Sequence, residues 1–438
     1  MARNALSYFR AYGSKGFAKL VWKELFRGGK AKEMGKTLFL RLSSQMRPLR
    51  NSKKPNHEPW DVAFPERLKI INGGGPKRRV VYIYGEADTT TFRYRAFNMC
   101  QALNYSTGWV GSYFFERELP LLVDHLDRID IVVFVRTEWS LTMGLFLHEA
   151  RNRGIPVLFD IDDLICDLTL LPMVVNTLNV DFDHPQAYER WFSYASRLWL
   201  MGSLCDATIG TTEYLCNKLG RLFEKPSFIV NNFLNNEQLS VSEKLFDERR
   251  PKDEEGTFVI GYFSGTPWHA NDFGKVAAEI GELMRSYPDI TLDIVGFLDL
   301  PSSLNDFKRE RRIVHGPLVD FLTLQRKIAR ADANIVPLID NEFTNCKSEL
   351  KFFEAAIVGT VTCATPTYAY RNSIQDRQTG FLCEEGQWYS ALEAIYRNDV
   401  PDGMVAKARD YCLDKYTPQK QVSRIEAVLD TVLVNGSK

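Results

Sequence analysis

Residues 333–366 read ANIVPLIDNEFTNCKSELKFFEAAIVGTVTCATP. This stretch predicts a buried strand at 333–339, a polar loop at 340–345, a helix over about 346–358 and a second buried strand at 360–365, with Gly359 as the helix stop. Two wholly apolar strands joined through a helix are parallel neighbours in an α/β sheet, because only a sheet covered on both faces buries every residue of a strand. Within the helix, Leu350, Phe353 and Ile357 form the stripe that seats it on the sheet. Lys347, Lys351 and Glu354 fall within about 60° of one another on a different face.

Those three side chains suit a nucleoside diphosphate. First-turn N–H groups and the positive end of the helix dipole attract phosphate, and the predicted first turn carries Lys347 and Ser348. Lys351 adds a second cation one turn later, and Glu354 offers a carboxylate that accepts hydrogen bonds from a ribose diol. A solvated helix face, with Glu354 as the i,i+3 partner of Lys351, satisfies the same spacing. Spacing alone leaves both readings open.

The chain has 438 residues, enough for two or three domains, and its 45% apolar and 25% charged residues are those of an ordinary globular protein. No run of 18 apolar residues occurs, so no segment is expected to span a membrane. The eight cysteines are scattered without a C-x-x-C pair or a His/Cys cluster. That predicts reduced core thiols in a cytoplasmic protein, and no metal site.

The net charge of zero hides an asymmetry. Residues 1–55 hold 14 Lys/Arg against Glu24 and Glu33, whereas the remainder holds 41 basic and 53 acidic residues. Phe9, Phe17, Trp22 and Phe26 are interleaved with those cations. Such an amphipathic arm is expected to lie on an anionic membrane surface, at the inner face of the cell membrane, or to pack as helices on the acidic body. No nucleic-acid-binding motif accompanies the charge, so nucleic acid is not an expected partner.

After a Pro- and Gly-rich linker, RVVYIY at 79–84 predicts the first strand of an N-terminal Rossmann-like domain, 78–235. The following FRYRAF sets Arg93 and Arg95 near that strand's carboxyl end, where open α/β sheets bind ligands. Cations at a helix N-terminus oppose its dipole. They are expected either to meet an anionic ligand or to pair with Glu86 and Asp88. The strand at 129–135 ends on Arg136, a third candidate for acceptor or phosphate contacts. The strand at 157–161 runs into Asp160, Asp162 and Asp163. Three acids at one strand end need cations or chemistry around them, or else cap the turn that follows. They are the candidate catalytic residues.

The charge-dense stretch 235–256 predicts an interdomain hinge. The pattern then restarts with FVIGYF at 258–263 and a small-residue turn whose Gly265 and Thr266 are candidate phosphate neighbours. These open a C-terminal domain, 256–400, followed by helices over 401–438. No strand is followed by G-x-G-x-x-G, which argues against a nicotinamide-dependent enzyme.

The segment KSELKFFEAAIVGTVTCAT, residues 347–365, resembles the donor-binding segment of glycosyltransferases of the GT-B fold, family 4 in particular. In that family a helix ending in Glu-Ala, here Glu354-Ala355, is followed by a Gly and a short strand. FDIDDL at 159–164 and TGFL at 379–382 are similar to further passages of bacterial polysaccharide members, and the likeness spans roughly 78–430. The resemblance implies two Rossmann-like domains facing a cleft, with the last helices crossing back to the first domain. It implies a nucleotide sugar held through Gly265, Thr266, Lys347, Ser348, Lys351 and Glu354, and a saccharide acceptor, lipid-linked in surface polysaccharide synthesis, held by the first domain. Transfer with retention of configuration, and no cofactor or metal beyond the donor substrate, are implied as well. The family carries two glutamates in this segment, and the position of the first is Cys346 here. That departure sustains an alternative, a non-catalytic binding or scaffold subunit of a polysaccharide assembly complex.

Overall fold

The computed structural model describes residues 58–178, 185–248, 256–264, 270–296 and 298–436. The basic arm at 1–55 and the turn that holds Gly265 and Thr266 lie outside the described residues. Both sheets belong to one compact unit, residues 62–180 and 191–438; of the other unit, 1–61 and 181–190, the described residues are 58–61 and 185–190.

The apolar runs become two six-stranded sheets whose neighbouring strands all pair in parallel. The first comprises β1 (Arg78–Tyr84), β2 (Trp109–Phe115), β3 (Ile131–Val135), β4 (Val157–Asp160), β5 (Ala207–Gly210) and β6 (Ser227–Ile229), in the order β2-β1-β3-β4-β5-β6. The second comprises β7 (Phe258–Phe263), β8 (Ile290–Val295), β9 (Ile313–Gly316), β10 (Ala333–Val336), β11 (Val361–Ala364) and β12 (Phe381–Leu382), in the order β12-β11-β10-β7-β8-β9. All residues of β3 and β10 are buried, as strands covered on both faces require. In the second half Leu292, Ile294, Ile335 and Cys363 from the strands meet Ile280, Leu283 and Leu392 from the helices Ala277–Ser286 and Trp388–Tyr396. Each such side chain contributes about 1.5–3 kcal/mol on burial.

In each sheet the strand order reverses direction once, between β1 and β3 in the first and between β7 and β10 in the second. Such switch points leave a crevice beyond the carboxyl ends of the strands, because the helices on either side diverge there.

Several elements differ from their sequence expectations. β10 stops at Val336, since Pro337 has no N–H to continue the ladder. The helix expected over about 346–358 is confined to Leu350–Ala356. Asn341 and Thr344 cap each other and start a separate short helix, Glu342–Asn345, leaving Cys346–Glu349 as the turn between them. Lys347 and Ser348 therefore precede the helix and do not form its first turn. The expected hinge at 235–256 contains a helix, Asn236–Asp247, nucleated by a reciprocal cap between Asn235 and Gln238. Strand β2 had no sequence expectation, its WVGSYFF run being interrupted by Gly111. A Cβ at that glycine would meet Leu103 Cδ1 at 2.7 Å, so the residue permits the close approach of the helix Asn98–Leu103.

The helix Pro418–Gly436 packs against Asn98–Leu103 of the first half. There Asp430 accepts hydrogen bonds from Trp109 Nε1 (3.0 Å) and Arg78 Nη1 (2.8 Å), and Glu426 accepts one from Ser106. All eight cysteines are buried thiols. Among the described residues no helix is long and apolar enough to cross a membrane.

Candidate functional site

A cavity of about 570 Å³ opens at both switch points. Thr89–Thr91 after β1 and Arg136 after β3 line one side; Phe263 and Ser264 at the end of β7 and Val336 at the end of β10 line the other. Its volume falls in the range of small-molecule and cofactor sites. The ends of β7 and β8 are drawn together at Gly296, whose φ is +102° and where a Cβ would lie 1.8 Å from Ser264 O. No other residue fits that position.

The cavity receives Lys347, Ser348, Lys351 and Glu354 from the second half and Arg93, Arg136, Asp162 and Asp163 from the first. Among the described residues, the ammonium group of neither lysine makes an ion pair or a hydrogen bond. Lys347 Nζ lies 4.5 Å from the centre of the Phe343 ring, and Lys351 Nζ 5.6 Å from that of Tyr262. Burial pushes the Lys351 ammonium down to about 8; Asp272 and Glu354 oppose the shift and Lys347 adds to it. Ser348 accepts a hydrogen bond from Asn232 Nδ2 at 2.9 Å.

Glu354 is held from the other half. Its Oε1 accepts from Arg93 Nη2 (3.2 Å), from Gln238 Nε2 (3.2 Å) and from the Tyr94 hydroxyl. The residue is 4% exposed and lines the cavity. Among the described residues Oε2 has no hydrogen-bond donor. One oxygen is thus fixed and the other is left for a ligand.

Arg93 and Arg95 meet neither Glu86 nor Asp88. Both lie in a single π-helical turn, Arg93–Phe97, all of whose residues are buried. Arg95 grips Asp160 bidentately, Nε to Oδ1 at 2.7 Å and Nη2 to Oδ2 at 2.8 Å, and also donates to Val230 O. Neither Arg95 nor Asp160 lines the cavity. Asp162 accepts from Thr91 Oγ1 (2.8 Å) and Arg136 Nη1 (2.9 Å), and Asp163 Oδ2 lies 3.6 Å from the same nitrogen. Arg136 adopts a positive φ of 42°, an unfavourable conformation for a side-chain-bearing residue, and its N–H donates to Asp160 O at 2.7 Å. Burial acts to raise the Asp162 pKa, but Arg136 and Thr91 outweigh it and hold the acid below its usual range.

The structure therefore gathers Lys347, Ser348, Lys351, Glu354, Arg93, Arg136, Asp162 and Asp163 around one cavity and sets Arg95 and Asp160 behind it. Trp191, Tyr194 and Phe321 also line it and were not singled out from the sequence. Trp191 and Tyr194 stand three apart on the helix Pro185–Leu204, a spacing that reads equally as core packing. Cys346 is buried, and burial drives its thiol above its ordinary range.

No family model matches the chain, and no curated protein matches it. Solved structures do. A glycosyltransferase from Rickettsia africae superposes with a TM-score of 0.55 at 11% identity, over 82% of this chain and 100% of that one. HepE of Anabaena, in complex with UDP and glucose, gives 0.53 at 12% identity, over 81% and 100%. The pneumococcal O-GlcNAc transferase GtfA, in complex with UDP and GlcNAc, gives 0.47 at 12% identity over 69% of this chain. The present chain spans only 57% of that GtfA chain. At these identities the likeness is one of fold: two parallel sheets with flanking helices around a shared cleft, the GT-B fold.

Proposed function

We propose that the protein is a glycosyltransferase that moves a sugar from a nucleoside-diphosphate sugar to a saccharide acceptor. The observation that carries this reading is the pair of ammonium groups, Lys347 and Lys351, that have no partner among the described residues, beside the carboxylate of Glu354 in one cavity. Two such cations lining one cavity call for a polyanion, and a diphosphate supplies it. Glu354 Oε2 stands one helical turn beyond Lys351, placed to receive a ribose hydroxyl. Transfer expels a nucleoside diphosphate, and cations fixed beforehand stabilise the charge it gathers. In this reading Lys347 and Lys351 bear that charge without an obligatory metal. The likeness to enzymes solved with UDP supports the donor class.

The acceptor then meets the wall formed by Asp162, Asp163, Trp191 and Tyr194. Retention of configuration, a lipid-linked saccharide acceptor in surface polysaccharide synthesis, and peripheral attachment at the inner membrane face through the basic arm complete the proposal. They rest on the family-like segment and on the charge of residues 1–55.

Titration with UDP, GDP and dTDP tests the reading. One of them binds, and Lys347→Ala weakens it by about ten- to a hundredfold, the value of one charge-assisted contact of roughly 1.5–3 kcal/mol. Unchanged affinity in the variant removes Lys347 from the site. The alternative, a non-catalytic binding subunit, is favoured by Cys346, a buried thiol that supplies no acid where the family has one. Nucleotide binding without nucleotide release from any sugar donor would select it.

A further inference from the structure

Five of the eleven large apolar side chains that stand exposed among the described residues gather on one face of the first half. They are Leu121, Leu141, Leu145, Phe192 and Trp199, at 59, 70, 59, 47 and 38% exposure. Three rods bring them together, with the helix Leu141–Asn152 in the middle. At its start Ser140 hydrogen-bonds Glu116, and just past its end Arg153 Nη1 donates to Val123 O at 2.9 Å. The turns Leu119–Leu122 and Val123–Arg128 therefore run along one side of it. On its other side Trp139 N–H donates to Arg197 O at 3.0 Å, and Arg151 Nη2 donates to Leu204 O. The helix Pro185–Leu204 thus runs beside it in the same direction. Leu141 and Leu145 fall between those two contacts on one helix, and Trp199 falls between them on the other.

The core does not need these side chains. The middle helix buries Met143, Phe146, Leu147 and Ala150 and leaves Leu141 and Leu145 outside. Large apolar residues gathered on one exposed face mark an interaction surface, whereas scattered ones do not. The face also borders the cavity. Arg136, which lines the cavity, leads through Ser140 into the middle helix, and Trp191 and Tyr194 line the cavity while Phe192 between them is turned outward.

We propose that this face rests on an anionic bilayer, as the apolar half of a two-part attachment whose basic half is residues 1–55. The proposal rests on the membrane reading of that arm given above. The chain enters the compact unit at Val62, directly before the helix Phe64–Asn72, which packs on the turns Val123–Arg128. The stretch with 14 Lys/Arg against two acids is therefore joined to the body at the border of the apolar face. The face brings little charge of its own, because Arg151, Arg153 and Arg197 pair with Asp206, Asp127 and Glu138. Charge attraction to a leaflet acts only within a Debye length of the surface and is weakened by salt. Leucine and aromatic side chains at the headgroup boundary add burial that charge alone does not give, and stable attachment takes two such signals. Seated in this way, the protein holds the Trp191 and Tyr194 wall of its cavity beside the headgroups, within reach of a lipid-linked acceptor.

The test uses full-length protein and phosphatidylcholine vesicles, with and without phosphatidylserine, at low salt. Leu145→Cys provides an exposed thiol for an environment-sensitive fluorophore, since all eight native thiols are buried. Its emission is expected to shift to the blue when phosphatidylserine vesicles are added. The double variant Leu141→Asp, Leu145→Asp is expected to partition onto them about tenfold more weakly or worse. Its urea midpoint should be unchanged and its nucleotide Kd should stay within about twofold, as for surface substitutions elsewhere. An unshifted probe, or a double variant that partitions within about twofold of wild type, overturns the inference and leaves the arm as the whole attachment. A blue shift that grows with protein concentration in the absence of vesicles also overturns it, assigning the face to a second copy of the chain. Wild-type protein that ignores the vesicles overturns both this inference and the membrane attachment on which it rests, while its nucleotide affinity tests glycosyl transfer separately.

Discussion

Arg93 Nη2 and Glu354 Oε1 lie 3.2 Å apart, joining residues 261 positions distant in the chain across the floor of the cavity. Both side chains are almost wholly buried, at 4% and 5% exposure. The carboxylate proposed to read the nucleoside is therefore set in place by the half proposed to hold the acceptor. Tyr94 and Gln238 reinforce it at the same oxygen.

Glu354→Gln should expose that dependence. The substitution leaves the Arg93 cation enclosed without its counter-charge, a change that destabilises buried pairs by about 3–5 kcal/mol. Urea unfolding should show a loss of that order, and the folded variant should bind nucleotide at least about tenfold more weakly. A stable variant with wild-type affinity would show that the pair serves neither purpose.

Lys351 gives the site a pH dependence with opposite signs for binding and stability. Its ammonium titrates at about 8 in the folded protein against an ordinary 10.5. As pH rises through about 8 the cation is lost and nucleoside diphosphate affinity falls. Between about 8 and 10.5 the unfolded chain binds more protons than the folded one, so the unfolding free energy rises with pH. Lys351→Met should remove both trends, measured by calorimetric titration and by urea midpoints across pH 7–10, an interval chosen to span roughly that window. Persistence of the affinity trend in the variant would assign it to another group.

Asp160→Asn should behave as a structural lesion. Its bidentate ion pair with Arg95 is shielded from water, and Arg95 also donates to Val230 O. Loss of the charge should reduce stability by about 3–5 kcal/mol, while nucleotide affinity of the folded fraction is retained. A collapse of turnover at wild-type stability would instead return Asp160 to the chemistry.

The basic arm is tested by removal. Each Lys or Arg near an anionic leaflet contributes about 1 kcal/mol, a term that fades beyond a Debye length. Full-length protein should sediment with phosphatidylserine vesicles at low salt and be released at high salt. A chain beginning near Pro55 should stay in the supernatant and keep its nucleotide affinity. Full-length protein that ignores the vesicles at low salt, or a truncated chain that unfolds, makes the arm structural.

What the sequence carried was periodicity and local chemistry. Unbroken apolar runs such as IVVFV and FVIGYF declared both-face burial, so the paired parallel sheets could be read from the chain. Lys351 and Glu354 were legible as neighbours because one helical face brings them together whatever the helix packs against, whereas Lys347 joins them from the turn before that helix. Partnerships made at long range were not. Nothing near Arg95 says that its carboxylate lies 65 positions away, nor that Glu354 is gripped by Tyr94 and Gln238. Gln238 sat in a stretch whose charge density resembled a linker, and only the Asn235 cap, a four-residue signal, marked it as a helix. The three acids at the end of β4 look alike in sequence. Their separate environments arise from Arg95 and Arg136, which topology places.

The helix Pro418–Gly436 has a consequence for biosynthesis. Ser106 and its partner Glu426 are 320 residues apart, and at about 5–20 residues per second a ribosome needs roughly 15–60 s to make the second after the first. Throughout that interval Trp109 on the edge strand β2 and Arg78 on its neighbour β1 lack the brace that Asp430 later provides. The nascent first half thus emerges with an uncovered flank, which is closed by a segment made after the whole second half.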